Sequence, residues 1–190
     1  LPPADAGEER IVFMGNSITE GWIKSDPSFF AGKPYVNRGI SGQTTPQMLI
    51  RFRQDVIDLH PTVVVLLAGT NDIAENRGPT TLEAIYGNII SMAELAMVHD
   101  IRMVICSVLP AHDYPWRPDL APAEKIYALN KMLSSYCQLA NIPYVDFHTP
   151  MSDQQKGLQK IYGEDGVHPN LTGYRFMEPL VEVGIARALK

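Results

Sequence analysis

The chain has 190 residues, of which 45% are hydrophobic and 19% are charged. This balance is typical of a globular protein with a single hydrophobic core and excludes a disordered tail. The formal net charge is −5 and no cluster of Lys or Arg stands out, which argues against nucleic-acid binding because phosphate contacts need grouped cations. No apolar stretch is long enough to span a bilayer.

The amino-terminal segment begins Leu1-Pro2-Pro3 rather than with Met, which is typical of a processed chain. We expect one domain over residues 1–190, with residues 1–9 forming an extended N-terminal segment. The same start favours a secreted or periplasmic protein, with the cytoplasm as the alternative. The oligomeric state is left open by the sequence.

Five short apolar runs, rich in Val and Ile and bounded by Gly or Pro, are predicted as strands covered on both faces. They are residues 11–14, 35–37, 62–67, 103–108 and 144–147. Cys106 falls in one of these strands and Cys137 on the apolar side of a helix. We expect both to be buried thiols, with a disulfide between them as the alternative.

Helical patterns separate the strands. The first begins at Thr45-Pro46 and ends before Pro61. The second has an apolar stripe over residues 82–96, and the third has one over residues 126–140, after Pro122. The last helix runs over residues 171–189, and Pro179 should kink or interrupt it. Alternating strands and helices predict an α/β fold, a three-layer α/β/α sandwich around a five-stranded parallel sheet.

Three glycines begin the loops that follow predicted strands, and a serine lies two residues after the first of them. Loops after the strands of a parallel sheet gather at one edge, where sites form. Gly15, Gly39, Gly69 and Ser17 should therefore share that edge.

A nucleophile and its activating pair are present at opposite ends of the chain. A serine hydroxyl needs a base within hydrogen-bond reach, and the base needs an orienting partner. His168 can be the base for Ser17, and Asp165, three residues earlier, can hold the imidazole. We predict that Ser17 attacks an ester.

Three groups are candidates for binding the oxyanion formed by that attack. The backbone N–H of Ser17 lies at a helix start, where free amides and the dipole favour negative charge. Gly39 has no Cβ, so its N–H can approach a ligand closely. Asn71 offers a side-chain amide.

The combination resembles the SGNH (GDSL-type) hydrolase family, named for Ser, Gly, Asn and His in four blocks. The matching positions are Ser17 in Gly-Asn-Ser-Ile-Thr, Gly39 in Asn-Arg-Gly-Ile-Ser-Gly, Asn71 in Gly-Thr-Asn-Asp and His168 in Asp-Gly-Val-His-Pro-Asn. The resemblance covers residues 15–170 and implies a flavodoxin-like sheet and metal-independent ester hydrolysis without a cofactor. Asn16 departs from the pattern, because the family usually has Asp there.

The segment after the fourth strand suggests the substrate. Residues 110–119 contain three prolines, two aromatic side chains and a cation. A stiff polar loop with aromatic faces suits a sugar, whereas a long acyl chain needs an apolar channel. We predict removal of a small acyl group, such as acetyl, from a carbohydrate, with Asn16, Tyr114, Trp116 and Arg117 as candidate contacts. The alternative is a surface loop in which Trp116 is anchored in the core.

Other functions stay open. One is a lysophospholipase or thioesterase-type acylhydrolase at the same site. Another is a metal-dependent hydrolase, since Asp146, His148, Asp165 and His168 are oxygen and imidazole ligands of the kind that Zn or Mn accepts. A third is a non-catalytic binding module on the same scaffold.

Overall fold

The computed structural model describes residue 2 and residues 7–190. Residues 1 and 3–6 of the predicted N-terminal extension lie outside the described residues. The elements in chain order are β1 (Ile11–Gly15), α1 (Ser17–Ser25), α2 (Pro27–Phe30), β2 (Tyr35–Gly39), α3 (Thr45–Asp55), a short 3-10 helix (Ile57–Leu59), β3 (Val63–Leu67), α4 (Thr70–Ile73), α5 (Leu82–Val98), β4 (Arg102–Cys106), α6 (Pro122–Ala140), β5 (Tyr144–Val145), α7 (His148–Met151) and α8 (Leu171–Ala188).

The five strands form one parallel sheet in the order β2-β1-β3-β4-β5. Helices α3, α5 and α6 bury their apolar residues on one face, and α1 and α8 cover the other. The predicted three-layer α/β/α sandwich is confirmed. Gly15 is paired with Gly39 on one side and with Leu67 on the other, so the carboxyl ends of β1, β2 and β3 lie side by side. This edge carries the candidate site.

Several helices begin where a side chain accepts a backbone N–H group of the first turn that has no partner within the helix. Asn16 caps α1, Thr44 and Gln47 form a capping box on α3, and Asn170 caps α8. The cap of α3 is thus Thr44 rather than the predicted Thr45. Helix α3 also ends at Asp55, well before Pro61, because the chain tightens into the 3-10 helix.

Helix α8 passes through Pro179 without interruption, contrary to one of the two predicted outcomes. A proline inside a helix removes one backbone hydrogen bond. The helix tolerates this loss because its buried residues pack against β4 and β5. Tertiary packing therefore outweighs the local preference.

Strands β4 and β5 are shorter than predicted because side chains bind the backbone beyond them. The side chain of Asn130 accepts from the N–H of Val108 at 2.8 Å and donates to its carbonyl at 2.9 Å. Ser107 Oγ accepts from the N–H groups of Phe147 and His148. The sheet ladder consequently stops at Cys106 and Val145. The four-residue helices α2, α4 and α7 are too short to show a periodic pattern and were not predicted.

The two cysteines are free and buried, as predicted. Cys106 belongs to the apolar cluster beneath α1 and α8, whereas Cys137 belongs to the cluster on the opposite face of the sheet. Burial raises the pKa of the Cys137 thiol to about 12 and raises that of Cys106 as well. Both side chains act as small apolar groups. Within the described part of the chain, no helix combines the length and apolar character needed to cross a membrane.

Candidate active site

Ser17 and His168 meet at the carboxyl edge of the sheet. Ser17 is the first residue of α1, and its Oγ lies 3.0 Å from Nε2 of His168. The two residues are 151 positions apart in the sequence. Both are partly exposed, so a ligand can reach them. The distance allows a proton to pass from the hydroxyl to the imidazole.

Asp165 holds the imidazole from the other side. Its Oδ2 lies 2.7 Å from His168 Nδ1, and its Oδ1 accepts the backbone N–H groups of Val167 and His168. Burial alone would raise the pKa of Asp165, but the His168 N–H, the imidazole and the Val167 N–H together lower it. The carboxylate is therefore ionised near neutral pH and keeps a proton on Nδ1, which leaves Nε2 free to accept one.

Asn16 is buried and caps α1. It is 1% exposed, and its Oδ1 accepts the N–H of Ile18 at 3.0 Å. The structure gives Asn16 this capping role rather than the predicted substrate contact. The cap binds the N–H of Ile18 and not that of Ser17, and the N–H of Ser17 has no acceptor among the described residues. That N–H remains available to a ligand at the helix N-terminus.

Gly39 lies at the end of β2 and is tightly packed. Its N–H donates to Oδ1 of Asn37 at 2.9 Å, so this group is engaged within the protein. A Cβ at this position would come within 2.1 Å of the backbone nitrogen of Glu20. Close packing against α1 therefore accounts for a glycine here, and the predicted oxyanion donor is not free in this arrangement.

Gly42, three residues after Gly39, has the accessible backbone N–H that the sequence predicted for Gly39. Its φ is +75°, a Cβ would meet nothing within 4 Å, and no described residue accepts its N–H. Its neighbours are held in place: the N–H of Ser41 donates to Glu20 at 2.6 Å, and Arg51 donates to the side chain of Gln43. The sequence analysis missed Gly42, although it is the second glycine of the block Asn-Arg-Gly-Ile-Ser-Gly.

Asn71 follows β3 and faces the loop that contains Gly42. Its Nδ2 donates to the carbonyl of Gln43 at 2.9 Å, and its Oδ1 accepts from Nδ2 of Asn76 at 2.8 Å. A primary amide has two N–H groups, so a second donor remains on Nδ2. The next residue, Asp72, is buried and accepts from the N–H and hydroxyl of Thr45. Burial raises the pKa of Asp72 despite these bonds.

The two aromatic residues of the 110–119 segment have different environments. Tyr114 is 0% exposed and packs beneath Trp116 at 5.2 Å between ring centroids. It supports Trp116 instead of making the predicted substrate contact. Trp116 is 41% exposed, and its ring centroid lies 6.0 Å from that of His168. Arg117 pairs with Glu75 at 3.3 Å.

Three of the four predicted metal ligands make hydrogen bonds within the protein, whereas Nε2 of His148 is buried without a partner among the described residues. Asp146 accepts the N–H of Thr149 at 2.9 Å, and Asp165 and His168 bind each other. The ring of His148 is half-buried, and this burial lowers its pKa. Over residues 7–190, no three His, Cys, Asp or Glu side chains are grouped so that they could hold a metal ion. The ligand set of the metal-dependent alternative is therefore not assembled.

Comparison with solved structures and curated proteins identifies relatives. A GDSL-like lipase from Bacteroides thetaiotaomicron VPI-5482 is 46% identical, with a TM-score of 0.96 over 99% of this chain and 93% of that chain. Lipoprotein YqeF of Bacillus subtilis (strain 168) is 27% identical in an alignment of 121 residues, and the alignment covers 55% of this chain and 50% of YqeF. The match thus spans about half the length of YqeF. Esterase TesA of Pseudomonas aeruginosa is 25% identical in an alignment of 170 residues, and the alignment covers 87% of this chain and 78% of TesA.

A family comparison covers most of the chain. The sequence model of the GDSL-like Lipase/Acylhydrolase family matches residues 13–176, a range that runs from β1 into α8 and contains Ser17, Asn71, Asp165 and His168. Because this match exceeds half of the chain, the resemblance noted in the sequence is confirmed. The chain belongs to the GDSL-like lipase/acylhydrolase family of carboxylic ester hydrolases.

Proposed function

We propose that this protein is a serine esterase in which Ser17 is the nucleophile, His168 the general base and Asp165 the residue that orients His168. The observation that carries the proposal is the 3.0 Å contact between Ser17 Oγ and His168 Nε2, with Asp165 2.7 Å from the other ring nitrogen. An unactivated serine is a weak nucleophile, and this arrangement is how it becomes reactive.

The reaction follows from those contacts. Ser17 Oγ bonds to the ester carbonyl carbon while its proton moves to His168 Nε2. The tetrahedral intermediate then breaks its bond to the alcohol oxygen, which takes the proton from His168. Water next gives a proton to His168 while its oxygen bonds to the carbonyl carbon of the acyl-Ser17 ester, which forms a second tetrahedral intermediate. Collapse of this second intermediate breaks the bond between the acyl carbon and Ser17 Oγ, which takes the proton back from His168. A carboxylic acid is released, and the hydroxyl of Ser17 and the neutral imidazole are restored.

The oxyanion in this proposal is bound by the N–H groups of Ser17 and Gly42 and by Nδ2 of Asn71. The two backbone groups have no acceptor among the described residues, and the amide of Asn71 has one N–H to spare. Such donors stabilise the transition state because their dipoles are already oriented before charge develops. Gly42 thereby takes the role that the sequence suggested for Gly39, whose N–H is bonded to Asn37.

A carbohydrate is the proposed alcohol part of the ester, and a small acyl group such as acetyl is the acid part. The leaving alcohol must sit beside His168, because His168 protonates it. The partly exposed ring of Trp116 lies next to His168 and offers a flat face on which a sugar could stack. The groups around the proposed oxyanion site are polar, namely the amides of Asn71 and Asn76 and the carbonyl of Gln43. A long acyl chain would prefer apolar walls.

A location outside the cytoplasm is proposed as well. It is supported by the 27% identity to YqeF, which is named a lipoprotein. An acetylated polysaccharide would be available to the enzyme there. Fractionation of the native host, followed by immunodetection of the protein, tests this part of the proposal separately from the chemistry.

An ester panel tests the chemistry and the substrate class. Purified protein is assayed on p-nitrophenyl acetate, butyrate and octanoate and on acetylated oligosaccharides, with and without EDTA. We expect acetate to give the highest kcat/KM, oligosaccharide deacetylation to occur, and EDTA to have no effect. Faster turnover of octanoate would instead favour the lysophospholipase or thioesterase-type alternative, and loss of activity with EDTA would favour the metal-dependent one.

Trp116 variants sharpen the same test. Trp116→Leu removes the aromatic face, whereas Trp116→Phe retains one. If a sugar stacks on this ring, KM for acetylated oligosaccharides should rise by roughly tenfold in Trp116→Leu and by much less in Trp116→Phe. KM for p-nitrophenyl acetate serves as the internal reference. Equal KM values for the sugar in both variants would rule out stacking on Trp116.

A further inference from the structure

We propose that Asn76 is a positioning residue that sets the orientation of the Asn71 amide, and that the indole N–H of Trp116 in turn orients Asn76. The inference rests on the proposed function, in which Asn71 donates to the oxyanion. It adds Asn76, which lies outside the four sequence blocks, to the site, and it gives Trp116 a role beyond contact with substrate.

A directional chain of hydrogen bonds carries the proposal. Trp116 Nε1 donates to Asn76 Oδ1 at 2.9 Å, and Asn76 Nδ2 donates to Asn71 Oδ1 at 2.8 Å. Asn71 Nδ2 then donates to the carbonyl of Gln43 at 2.9 Å. The chain links the 110–119 segment, the loop after β3 and the loop after β2.

The direction of this chain is set at both ends, by the indole N–H of Trp116, which can only donate, and by the carbonyl of Gln43, which can only accept. An indole N–H can only donate, so Asn76 must present its carbonyl to Trp116 and its NH2 to Asn71. Asn71 must then present its own carbonyl to Asn76, which turns its NH2 towards Gln43 and the proposed oxyanion site. In the reverse orientation the carbonyl of Asn71 would face both the Gln43 carbonyl and the developing negative charge. Such a contact would raise the energy of the transition state.

The backbone keeps Asn76 in place for this task. The N–H of Asn76 also donates to the carbonyl of Asn71 at 3.0 Å, so the two residues are joined twice. Glu75, between them in the chain, has a φ of +54° and pairs with Arg117. Turn 71–76 and the 110–119 segment are therefore attached to each other at two neighbouring positions.

Substitutions at Asn76 separate a positioning role from a packing role. In Asn76→Asp the introduced carboxylate still accepts from Trp116 but cannot donate to Asn71, and it favours the reversed Asn71 amide. Asn76→Ala removes the partner without forcing a reversal. We expect kcat on p-nitrophenyl acetate to fall about tenfold in Asn76→Ala and about 100-fold in Asn76→Asp, with KM within about twofold of wild type, because the contact matters mainly in the transition state.

A double-mutant cycle with Asn71→Ala identifies the path of the effect. If Asn76 acts through Asn71, either substitution at position 76 should change kcat by less than about twofold once Asn71 is alanine. The same background reveals any direct repulsion between the introduced carboxylate and the oxyanion. Arg77→Gln is the matched control, since Arg77 is exposed in the same loop and should leave kcat unchanged.

Two further measurements test the hydrogen-bond chain without relying on the variants at position 76. Trp116→Phe removes the indole donor while keeping an aromatic ring, and it should lower kcat on p-nitrophenyl acetate by about threefold at unchanged KM. This variant tests the proposal even if a variant at position 76 does not fold. Thermal melts report folding. A greater loss with Ala than with Asp, or additive effects in the cycle, would overturn the positioning role. Unchanged activity in Ser17→Ala would instead overturn the proposed function itself, whatever the result at position 76.

Discussion

The two halves of the candidate site are held together in different ways. In the proton-transfer half, Asp165 and His168 lie in one short turn and Ser17 starts a helix. In the proposed oxyanion half, Gly42 and Asn71 come from separate loops that are joined by hydrogen bonds through Gln43 and Asn76. Within the first half, a local turn holds Asp165 against His168, and a single contact across 151 positions brings this pair to Ser17. The second half instead depends on a series of hydrogen bonds between loops.

This difference has consequences for both chemistry and mutation. Ser17 forms the bond to the acyl carbon and passes its proton to His168, so loss of either side chain ends the proposed reaction path. The oxyanion donors share one charge among several N–H groups, so the loss of one should weaken catalysis without ending it. Substitutions in the first half should therefore lower kcat much more than the loss of a single donor in the second half.

The largest effect is expected for Ser17→Ala. The side chain is partly exposed and caps nothing, so the fold should be retained, while kcat falls by at least ~10³-fold because the nucleophile is gone. Esterase assays, thermal melts and labelling with a fluorophosphonate measure this. Ser134→Ala, at an exposed serine of α6, is the control. A rate near that of wild type would exclude Ser17 as the nucleophile.

A smaller effect is expected for Asn71→Ala. It removes one proposed oxyanion donor, so kcat should fall about 100-fold while KM stays nearly constant. Steady-state kinetics on p-nitrophenyl acetate provide the measurement, with a thermal melt to establish that the variant is folded. A loss as large as that of Ser17→Ala would break the distinction between the two halves. A change of only a few-fold would remove Asn71 from the oxyanion site.

The smallest effects concern stability at the two glycines. Gly39→Ala places a Cβ against the backbone of Glu20 and should lower the free energy of unfolding by about 3 kcal/mol. Gly42→Ala meets open space and should lower it by only about 1–2 kcal/mol, the cost of a positive φ for an alanine. Urea denaturation measures both values. Equal losses would contradict the assignment of Gly39 to packing.

The same pair can be compared by NMR in the wild-type protein. When a fluorophosphonate labels Ser17, the amide proton of Gly42 should move downfield because its N–H gains the strongly polar phosphoryl oxygen as an acceptor. The amide proton of Gly39 should stay in place, since Asn37 already binds it. The opposite result would return the oxyanion role to Gly39.

Sequence patterns predicted the layered α/β fold because apolar runs of strand length alternate with helical stripes. The structure confirms the five-stranded parallel sheet and the burial of both cysteines. Element ends were less predictable. The strands β4 and β5 stop early because Asn130 and Ser107 bind the backbone beyond them, and Pro179 is tolerated inside α8. Such effects depend on neighbours that are remote in the sequence.

By itself, the sequence determined which loops carry reactive groups and that an acidic residue accompanies the histidine within one turn, since strand ends and short turns are encoded locally. Only the tertiary structure decided which of two glycines has an N–H without an acceptor in the described part of the chain, and which of two aromatic residues faces solvent. Those outcomes depend on the approach of α1 to β2 and on the packing of Tyr114 beneath Trp116. A side chain's neighbours across the fold determine its exposure and its free hydrogen-bonding groups, and no local pattern records them.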